Sequence, residues 1–401
     1  MATLLNVEDA RRLARRRLPR GLFEYLDRGT EDEVSIAGNR AGLDAIRLAP
    51  FALEDVSQRA QDTLLFGTPQ PCPLVIAPTA VAGLMSYDGE VAMARAAKAH
   101  GIPFCVSTQS MTSIETIARD SGARLWFQLY VWKNRARTFA LLDRAAGAGA
   151  DTLVLTVDTA VSPKREYNQR NGFGIPLKPS VRAGIDVLCH PRWFADVFLR
   201  TLRTTGMPTY AHYPDEFRTA LGRAVVGNEI SLATDVSWKD VAALRAHWKG
   251  RLILKGILRA SDATRAIAHG VDGIVVSNHG ARNLDCAPHP AHVLPAIVAA
   301  AGGRLTVLAD SGVRRGSDIA KYLALGADGV LVGRAPLYGL AAAGTPGASR
   351  VIELLRAELD TTMALLGVTR LDQLPRTLQM EARGTGSPIG MAFGLISPKG
   401  N

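Results

Sequence analysis

The sequence predicts an α/β protein built on a single (β/α)8 barrel, the TIM-barrel fold. Three observations lead to this fold class: eight short apolar runs typical of buried parallel strands, a repeated αβ entry phrase, and helix-length gaps between most of the runs. The 401 residues are 47% hydrophobic and 21% charged. This balance is that of a globular protein with enough apolar material for one elaborated barrel.

Each predicted strand is a short run of apolar residues bounded by turn-forming residues. In chain order the eight runs are Pro73–Ala80, Phe104–Ser110, Arg124–Tyr130, Thr152–Asp158, Leu252–Ile257, Gly273–His279, Thr306–Gly312 and Gly329–Arg334. Similar four-residue phrases at Gly149, Gly270 and Gly326 lead into three of them. In each phrase the glycine ends an alanine-rich helix and the next residues begin a strand, which indicates a repeated αβ unit.

The alternation of strands and helices favours parallel crossovers and a closed barrel. A doubly wound open sheet is the alternative fold. That fold favours a G-x-G-x-x-G fingerprint after the first strand, whereas residues 78–83 are Pro-Thr-Ala-Val-Ala-Gly.

The remaining segments are interpreted as additions to one domain that covers residues 1–401. Most gaps between strands hold 13 to 26 residues, but the gap of residues 159–251 holds 93. We interpret it as an insertion at the C-terminal end of the fourth strand, on the face where barrel enzymes carry their active sites. Residues 1–72 are an N-terminal extension, in which Asn6 is expected to cap a first helix, and residues 335–401 are C-terminal helices.

The formal net charge of +10 points to an anionic partner: nucleic acid, a membrane surface or an acidic substrate. Nucleic acid is disfavoured, because the basic residues do not alternate with aromatic residues in a recognisable binding module. The four cysteines lack the paired spacing of metal ligands, so we expect reduced thiols, a cytoplasmic protein and no metal site. No apolar run approaches the ~18 residues of a membrane-spanning helix.

Hydrogen-bonding groups stand at the C-terminal ends of nearly all the predicted strands, where a barrel places its catalytic residues. The glycines and arginines after the last two strands predict a phosphate site: Asp310, Gly312, Arg314, Gly333 and Arg334. Two ordinary turns with solvated arginines are the alternative there. A bidentate contact to the anion is expected from Arg334.

Lys255 and His279 are the two strand-end residues with the most specific chemistry. Lys255 closes an apolar strand, so it needs a partner: either an anionic cofactor or a neighbouring carboxylate. His279 ends a strand that directs it toward the barrel mouth, and Asp158 ends another strand. A histidine held by a carboxylate is a competent general base, although a structural histidine is the alternative.

Four motifs together resemble the FMN-dependent α-hydroxy acid dehydrogenase and oxidase family. They are the segments 254–257 (Leu-Lys-Gly-Ile), 277–285 (Ser-Asn-His-Gly-Ala-Arg-Asn-Leu-Asp), 310–318 (Asp-Ser-Gly-Val-Arg-Arg-Gly-Ser-Asp) and 326–334 (Gly-Ala-Asp-Gly-Val-Leu-Val-Gly-Arg). The likeness runs from Asn6 to about Gly344. Segments 6–9, 24–26 and 190–193 resemble the (S)-mandelate dehydrogenase branch in particular.

This resemblance implies FMN as cofactor, oxidation of an (S)-2-hydroxy acid to the 2-oxo acid, and a role for each matching position. It implies that His279 is the base, that Asp158 pairs with it, that Arg165 and Arg282 grip the substrate carboxylate, and that Tyr25 and Tyr130 hydrogen-bond the substrate. For the flavin ring and ribityl chain it implies contacts from Pro78, Thr79, Ala80, Ser107, Gln128, Thr156, Lys255 and Ser277. Asp310, Gly312, Arg314, Gly333 and Arg334 match the ribityl–phosphate site.

Three positions bear on the substrate and on the electron acceptor. Ala80 and Ala281 stand where mandelate dehydrogenases have glycine, which leaves open whether a membrane quinone or molecular oxygen reoxidises the flavin. Gln109 stands where glycolate oxidases have tryptophan, which favours a bulky aryl substrate. An (S)-lactate or glycolate oxidase, a type 2 isopentenyl diphosphate isomerase and a catalytically dead ligand-binding barrel are the alternative functions. The resemblance also implies a homotetramer.

The insertion raises the question of membrane contact. Between Lys178 and Arg203, five basic residues face two acidic ones, with apolar residues interleaved at near-helical spacing: Trp193, Phe194, Val197, Phe198 and Leu202. This pattern fits a helix that lies in a membrane interface, or an amphipathic helix packed on the barrel or on another subunit. The resemblance favours peripheral contact with the cytoplasmic face of a membrane.

Overall fold

A computed structural model describes residues 4–172, 181–218 and 229–379. Its ten strands are β1 (Thr63–Leu65), β2 (Thr68–Gln70), β3 (Leu74–Ile76), β4 (Phe104–Ser107), β5 (Leu125–Leu129), β6 (Thr152–Thr156), β7 (Arg251–Ile257), β8 (Gly273–Val276), β9 (Thr306–Ala309) and β10 (Gly329–Val332). Strands β3 to β10 form a closed parallel barrel in sequence order, with β10 paired to both β9 and β3. The predicted (β/α)8 barrel is therefore confirmed, and each barrel strand lies at one of the eight predicted runs.

The helices lie between and beyond the strands. They are α1 (Val7–Arg17), α2 (Arg20–Asp27), α3 (Val34–Ala45), α4 (Ala82–Met85), α5 (Gly89–Ala99), α6 (Ile114–Ser121), α7 (Arg135–Gly147), α8 (Glu166–Arg170), α9 (Val181–Leu188), α10 (Pro191–Trp193), α11 (Arg200–Thr204), α12 (Trp238–His247), α13 (Ala260–Ala268), α14 (Pro290–Ala301), α15 (Gly316–Ala324) and α16 (Arg334–Leu366). A π-helical turn, Phe194–Leu199, links α10 to α11, and short 3₁₀ turns cover Asp215–Phe217 and Leu371–Thr377. Asn6 caps α1 as expected, accepting a hydrogen bond from the Asp9 amide at 2.9 Å.

The barrel has two apolar layers because successive side chains of a strand point to opposite faces. Seven strands each give one residue to the interior, namely Cys105, Trp126, Val154, Ile253, Val275, Leu308 and Leu331, and β3 gives Val75 and, just past its end, Ala77. The alternate residues, such as Ile76 and Phe104, point outward and pack beneath the helices. The interior is therefore a packed core, which leaves only the rim of the barrel for a ligand site.

A two-stranded hairpin, β1–β2, closes the N-terminal end of the barrel. Leu65 at its tip is fully buried among the interior residues, and the Phe66 ring meets Trp126 edge-on at 6.0 Å. Sequence reasoning assigned residues 1–72 as a helical extension and did not predict this hairpin, because its strands have only three residues each.

The apolar residues of the insertion after β6 were predicted to contact a membrane. Most of them pack against the barrel instead. Trp193 and Val197 are buried against the main core, and the Trp193 indole donates to the Leu84 carbonyl at 2.7 Å. Phe194 and Phe198 are half-buried beside them. The packed-helix alternative therefore holds for these four residues, because one face of this helix packs on α4, whereas Leu202 is 39% exposed. Residues 173–180, including Lys178, lie outside the described residues.

A different helix of the insertion carries an exposed apolar face. In α9, Val181, Ile185 and Leu188 are 82%, 56% and 76% exposed, and their spacing places them on one side of the helix. Among the described residues, no helix combines the length and the apolar character that are needed to cross a bilayer.

Candidate active site

One polar or glycine residue from each barrel strand forms a ring above the interior core. Because side chains alternate along a strand, the residue two positions after the last interior residue of each strand points to the same side of the sheet. These eight residues are Thr79, Ser107, Gln128, Thr156, Lys255, Ser277, Asp310 and Gly333. The barrel interior is thus apolar throughout. The layer above it consists of polar side chains, except at Gly333, which has no side chain.

Hydrogen bonds join this ring into two networks. On one side, Ser107 Oγ donates to Gln128 Oε1 at 3.1 Å and Gln128 Nε2 donates to Thr156 Oγ1 at 3.0 Å. The strand register places Ser107 beside Gln128 and Thr156 beside Lys255. The floor of the cleft is therefore rigid and already hydrogen-bonded.

The second network holds Lys255, whose side chain is buried. Its Nζ lies 3.0 Å from Asp310 Oδ2 and 2.8 Å from Ser277 Oγ. Burial lowers the pKa of Lys255, but Asp310 and Asp158 outweigh that effect, and the net result is a raised pKa. The lysine therefore remains cationic. Its partner in the protein is the carboxylate of Asp310, one of the two kinds of partner that the sequence analysis considered.

A histidine–carboxylate pair lies one layer higher, two residues beyond Ser277 and Thr156. His279 Nδ1 is 2.9 Å from Asp158 Oδ1, which leaves Nε2 for a ligand in the cleft. Burial lowers the pKa of His279; Asp158 opposes this, and Lys255 and Arg165 add to it, so the net pKa is below the ordinary value. Burial would raise the pKa of Asp158, but His279 and Lys255 hold it below its usual value. At neutral pH the pair is a neutral imidazole beside a carboxylate.

The backbone at this pair is locally strained and tightly packed. His279 has φ +59°, in the left-handed region that few non-glycine residues occupy. A Cβ on Gly256 (φ +109°) would come within 2.6 Å of the Asp158 Cβ, so the glycine makes room for the carboxylate. Asn283 Nδ2 donates to the Asp158 carbonyl at 2.9 Å. Sequence reasoning missed the parts played by Gly256 and Asn283, although both lie inside the quoted motifs.

Two arginines converge on the same end of the cleft. Arg165 Nε and Nη2 donate to the Arg282 carbonyl at 3.1 and 2.9 Å, and the Arg282 guanidinium lies 4.8 Å from the centre of the Tyr25 ring. Burial and then the proximity of Arg282 lower the pKa of Arg165 to about 10. Two partly buried cations that contact backbone carbonyls and an aromatic ring form a site that favours a planar anion.

Tyr130 completes this end of the cleft. Burial, followed by the nearby Asp158, raises its pKa, so the phenol keeps its proton at neutral pH. Its backbone N–H donates to Thr108 Oγ1 at 3.1 Å, which fixes the strand end that carries it.

The loop after β9 is shaped by the buried carboxylate of Asp318. It accepts hydrogen bonds from the backbone N–H groups of Arg314 and Arg315 at 2.9 and 3.0 Å, and from the Arg40 guanidinium at 2.6 and 2.8 Å. Gly312 has φ +80°, and a Cβ there would lie 3.1 Å from the Asn39 carbonyl oxygen. Only glycine satisfies both the conformation and the close approach.

Arg334 is held by backbone carbonyls, and its bidentate contact to an anion stays a prediction. It donates to the carbonyls of Leu26, Gly280 and Arg28 at 3.1, 2.8 and 3.1 Å. These bonds use three of its five N–H donors and tie the N-terminal extension to the loop after β8. Burial and then Arg282 lower its pKa to about 10, so it still brings a positive charge to the cleft.

The structure brings nearly all the predicted site residues to one open cleft. The predicted residues that line it are Tyr25, Pro78, Thr79, Ala80, Ser107, Gln128, Tyr130, Thr156, Arg165, Lys255, His279, Arg282, Asp310, Gly312, Arg314, Gly333 and Arg334. The other two, Asp158 and Ser277, lie directly behind His279 and Lys255. Within the described residues, no cluster of histidine, cysteine, aspartate or glutamate could hold a metal ion.

Comparison with known proteins agrees with this geometry. Residues 14–380 match the family model described as FMN-dependent dehydrogenase. The (S)-mandelate dehydrogenase of Pseudomonas putida is 42% identical over 392 residues, which cover 98% of each chain. A putative L-lactate dehydrogenase of Mycobacterium tuberculosis is 42% identical over 394 residues, covering 97% of this chain and 92% of the relative.

Solved structures give the same result. A crystal structure described as the monotopic membrane protein (S)-mandelate dehydrogenase superposes with a TM-score of 0.88 at 43% identity. The superposition covers 94% of this chain and 99% of that one.

Proposed function

The chain belongs to the FMN-dependent dehydrogenase family, and from this premise we propose that it oxidises an (S)-2-hydroxy acid with a mandelate-like aryl side chain and passes the electrons to a membrane quinone. At the level of the family it is an FMN-dependent enzyme that acts on hydroxy acids. The observation that carries the finer proposal is the convergence of the His279–Asp158 pair with Arg165 and Arg282 on one cleft.

The cleft fits FMN in charge and in unused polar atoms. Thr79 Oγ1 is buried and, among the described residues, has no hydrogen-bond partner, as expected for a donor that waits for a ligand. Lys255, Arg314 and Arg334 supply positive charge along the cleft. The strand-end ring would hold the flavin ring, and the loop at Gly312 and Gly333 would hold the phosphate.

The substrate would be held at the outer end of the cleft. Two guanidinium groups define both the position and the plane of a carboxylate, so Arg165 and Arg282 would orient the 2-hydroxy acid. When bound, FMN supplies the two-electron acceptor that no side chain provides. Oxidation to the 2-oxo acid removes two electrons and two protons, and His279 is the base for a proton from the hydroxyl or from Cα.

Asp158 and the tyrosines support that proton transfer. As His279 takes the proton it becomes an imidazolium, and the adjacent carboxylate stabilises this charge. Tyr130, which keeps its own proton, and Tyr25 would donate hydrogen bonds to the substrate oxygens. A barrel that only binds a ligand has no need of this pair, and an isomerase of diphosphates has no need of two arginines beside it.

We expect the acid limb of the kcat/KM profile to lie below pH 6.5, the ordinary imidazole value. The base must be neutral, its pKa is lowered in the fold, and activity is therefore lost only as the pH falls through that lowered pKa. Asp158→Asn removes the group that raises the pKa of His279, so the limb should move to still lower pH while kcat falls by about 100-fold. A limb above pH 6.5, or an unchanged limb in D158N, would contradict the assignment.

The exposed face of α9 supports membrane contact. Val181, Ile185 and Leu188 form an apolar stripe, and the exposed Arg20 lies at the same helix, because its backbone N–H donates to the Asp186 carboxylate at 2.6 Å. An apolar stripe bordered by cations is the pattern of a helix that lies in a membrane interface. A relative described as a monotopic membrane protein has the same fold over nearly its whole length. A quinone dissolved in that membrane would then be the oxidant.

Replacing Val181, Ile185 and Leu188 together by serine should weaken membrane binding by about 100-fold or more, since each buried aliphatic side chain contributes about 1.5–3 kcal/mol. Point substitutions are preferable to a deletion because Trp193 and Val197 of the same insertion are buried in the core. Co-sedimentation with anionic vesicles measures the effect. The matched control replaces Leu64 and Leu365, which are exposed elsewhere, and should bind normally. If the α9 variant and the control variant bind vesicles equally well, α9 does not contact the membrane.

Substrate and acceptor are tested in one experiment. Anaerobic holoenzyme is mixed separately with (S)-mandelate, (S)-lactate and glycolate, and the rates of flavin bleaching rank the side chains. Reoxidation by air or by a quinone then identifies the acceptor, and fast reaction with air would favour an oxidase. The proposal includes a homotetramer, on the family resemblance alone, which analytical ultracentrifugation checks.

A further inference from the structure

The backbone that carries His279 makes a tight turn in which three successive residues have positive φ. The angles are +59° at His279, +63° at Gly280 and +62° at Ala281. The Ala281 N–H donates to the Asn278 carbonyl at 2.9 Å and closes the turn. A left-handed backbone is unfavourable for a residue that has a Cβ, so His279 and Ala281 keep it only because surrounding contacts hold them.

Side chains bind all three N–H groups of this turn, and one of these side chains comes from a different loop. The N–H groups of His279 and Ala281 donate to side-chain oxygens of their own strand end, at 3.0 and 3.2 Å. The Gly280 N–H donates instead to Ser311 Oγ at 3.1 Å, and Ser311 lies in the loop after β9. Ser311 therefore holds the turn from outside the strand that carries it.

The hydroxyl of Ser311 is itself fixed by the buried Lys255–Asp310 pair. It donates to Asp310 Oδ1 at 2.8 Å, while Asp310 Oδ2 lies 3.0 Å from Lys255 Nζ. The carboxylate thus offers one oxygen to the lysine and the other to the serine. Because a serine hydroxyl has a single hydrogen, Ser311 donates to Asp310 and accepts from Gly280. These contacts form one continuous chain of hydrogen bonds from the lysine to the turn.

Ser311 also has a backbone conformation that glycine would adopt more easily. Its φ is +82°, and it lines the cleft with 8% of its surface exposed. The Tyr322 phenol donates to the carbonyls of Asp310 and Ser311 at 2.8 and 2.7 Å, which holds this strained loop against α15. A glycine at this position would relieve the strain but would lack the hydroxyl. The feature that distinguishes serine here is therefore its pair of hydrogen bonds.

We propose that Ser311 is a positioning residue: its hydroxyl fixes the Gly280 peptide and so holds the neighbouring base, His279, in its left-handed conformation. This inference rests on the proposed function, in which His279 takes a proton from the substrate. Without the hydroxyl the turn could rotate and move the imidazole relative to the substrate. A displacement of about 1 Å can lower a rate by about 100-fold.

A direct contact to the cofactor is the other role open to a serine that lines the cleft. Such a contact to a phosphate or other acceptor oxygen needs a hydrogen from the hydroxyl. The single hydrogen of Ser311 is already donated to Asp310. The hydrogen-bond pattern thus favours a role toward the turn and not toward the cofactor.

Two substitutions separate the hydroxyl from the backbone strain. Ser311→Ala removes the hydroxyl and keeps the unfavourable φ, whereas Ser311→Gly removes the hydroxyl and relieves it. In FMN-saturated enzyme without oxygen, we expect both variants to bleach about 10- to 100-fold more slowly at saturating substrate than the wild type. The substrate is the 2-hydroxy acid that bleaches the wild-type flavin fastest. The dissociation constant of the 2-oxo acid product should stay unchanged, because Arg165 and Arg282 are intact. The glycine variant should melt at or above the temperature of the alanine variant.

Ser121 provides a matched control outside the cleft. Its hydroxyl, at the end of α6, also has two backbone or side-chain partners: it donates to the Ile117 carbonyl at 2.6 Å and accepts from the Ala123 N–H at 3.2 Å. Ser121→Ala therefore removes a buried serine hydroxyl with a similar number of hydrogen bonds. It should leave the bleaching rate of the bound flavin unchanged.

The possible failures differ in what they contradict. If either Ser311 variant bleaches at the wild-type rate, the hydroxyl does not position the base, and the glycine variant decides this even if the alanine variant does not fold. If the variants lose FMN affinity by about 10-fold or more but the saturated flavin is reduced at the wild-type rate, the hydroxyl serves the cofactor instead. In both cases the hydroxy acid activity stands. If no 2-hydroxy acid bleaches the wild-type flavin, the proposed function fails, and this inference fails with it.

Discussion

Replacing His279 by asparagine is expected to lower kcat by about 10³- to 10⁴-fold, because the proposed base is then absent and general base catalysis contributes effects of that order. Asparagine suits this position because it tolerates the left-handed backbone, here φ +59°, better than most residues. FMN should remain bound, since the residues that would hold it lie in the layer below and in the phosphate loop. The rate of anaerobic flavin bleaching by (S)-mandelate measures the loss.

The control is a second histidine–aspartate pair outside the cleft. His247 Nε2 lies 2.7 Å from Asp143 Oδ1 on the exposed surface. Changing His247 to asparagine removes a pair of similar geometry and should leave the bleaching rate unaltered. An H279N enzyme that binds flavin and still turns over at the wild-type rate would refute the assignment of the base.

Replacing Arg165 by methionine is expected to lower kcat/KM by about 10³-fold, within the range for removal of one partner of a buried charged contact. Methionine preserves much of the apolar stem and removes only the charge and the donors. The substrate-free protein loses the repulsion between Arg165 and Arg282 together with the two hydrogen bonds from Arg165 to the Arg282 carbonyl, and these effects oppose each other. Its melting temperature should therefore change little while activity falls.

Comparing the melting temperature with the activity of this variant distinguishes a substrate-binding arginine from a structural one. A structural arginine would lose stability and activity together, whereas a substrate-binding one loses activity alone. Arg144→Met on the surface, which removes an exposed pair with Glu115, serves as the control and should keep full activity. A lowered melting temperature with an unchanged KM would contradict the role of Arg165.

The barrel and most of the site could be predicted from sequence for a physical reason. Buried parallel strands are continuous apolar runs, and the alternation of side chains places a polar residue two positions after each interior residue, as with Gln128 after Trp126 and Lys255 after Ile253. His279 and Asp158 lie two positions further along their strands, after Ser277 and Thr156, and therefore point toward the same end of the barrel. The roles of the arginines came from the family resemblance and not from spacing.

Other features depend on tertiary contacts that no local pattern contains. The spacing of Trp193 and Val197 predicted an apolar helix face, but it did not indicate whether that face meets the barrel or a membrane; the structure buries it and exposes Ile185 of α9 instead. The strands of the hairpin at Leu65 have three residues each, which is too short to show the alternation of apolar and polar residues that identifies a strand. The Ala211 N–H donates to the Ser110 carbonyl across about 100 residues of sequence, so no signal at either position predicts the contact.

Flavin binding and reduction by substrate show most clearly whether this cleft carries out FMN-dependent oxidation of a hydroxy acid. The purified protein, reconstituted with FMN and freed of excess, is titrated without oxygen with (S)-mandelate while the visible spectrum is recorded. We expect one FMN per chain and complete bleaching of the yellow chromophore. A protein that takes up no FMN, or a bound flavin that stays yellow with every 2-hydroxy acid, would contradict it.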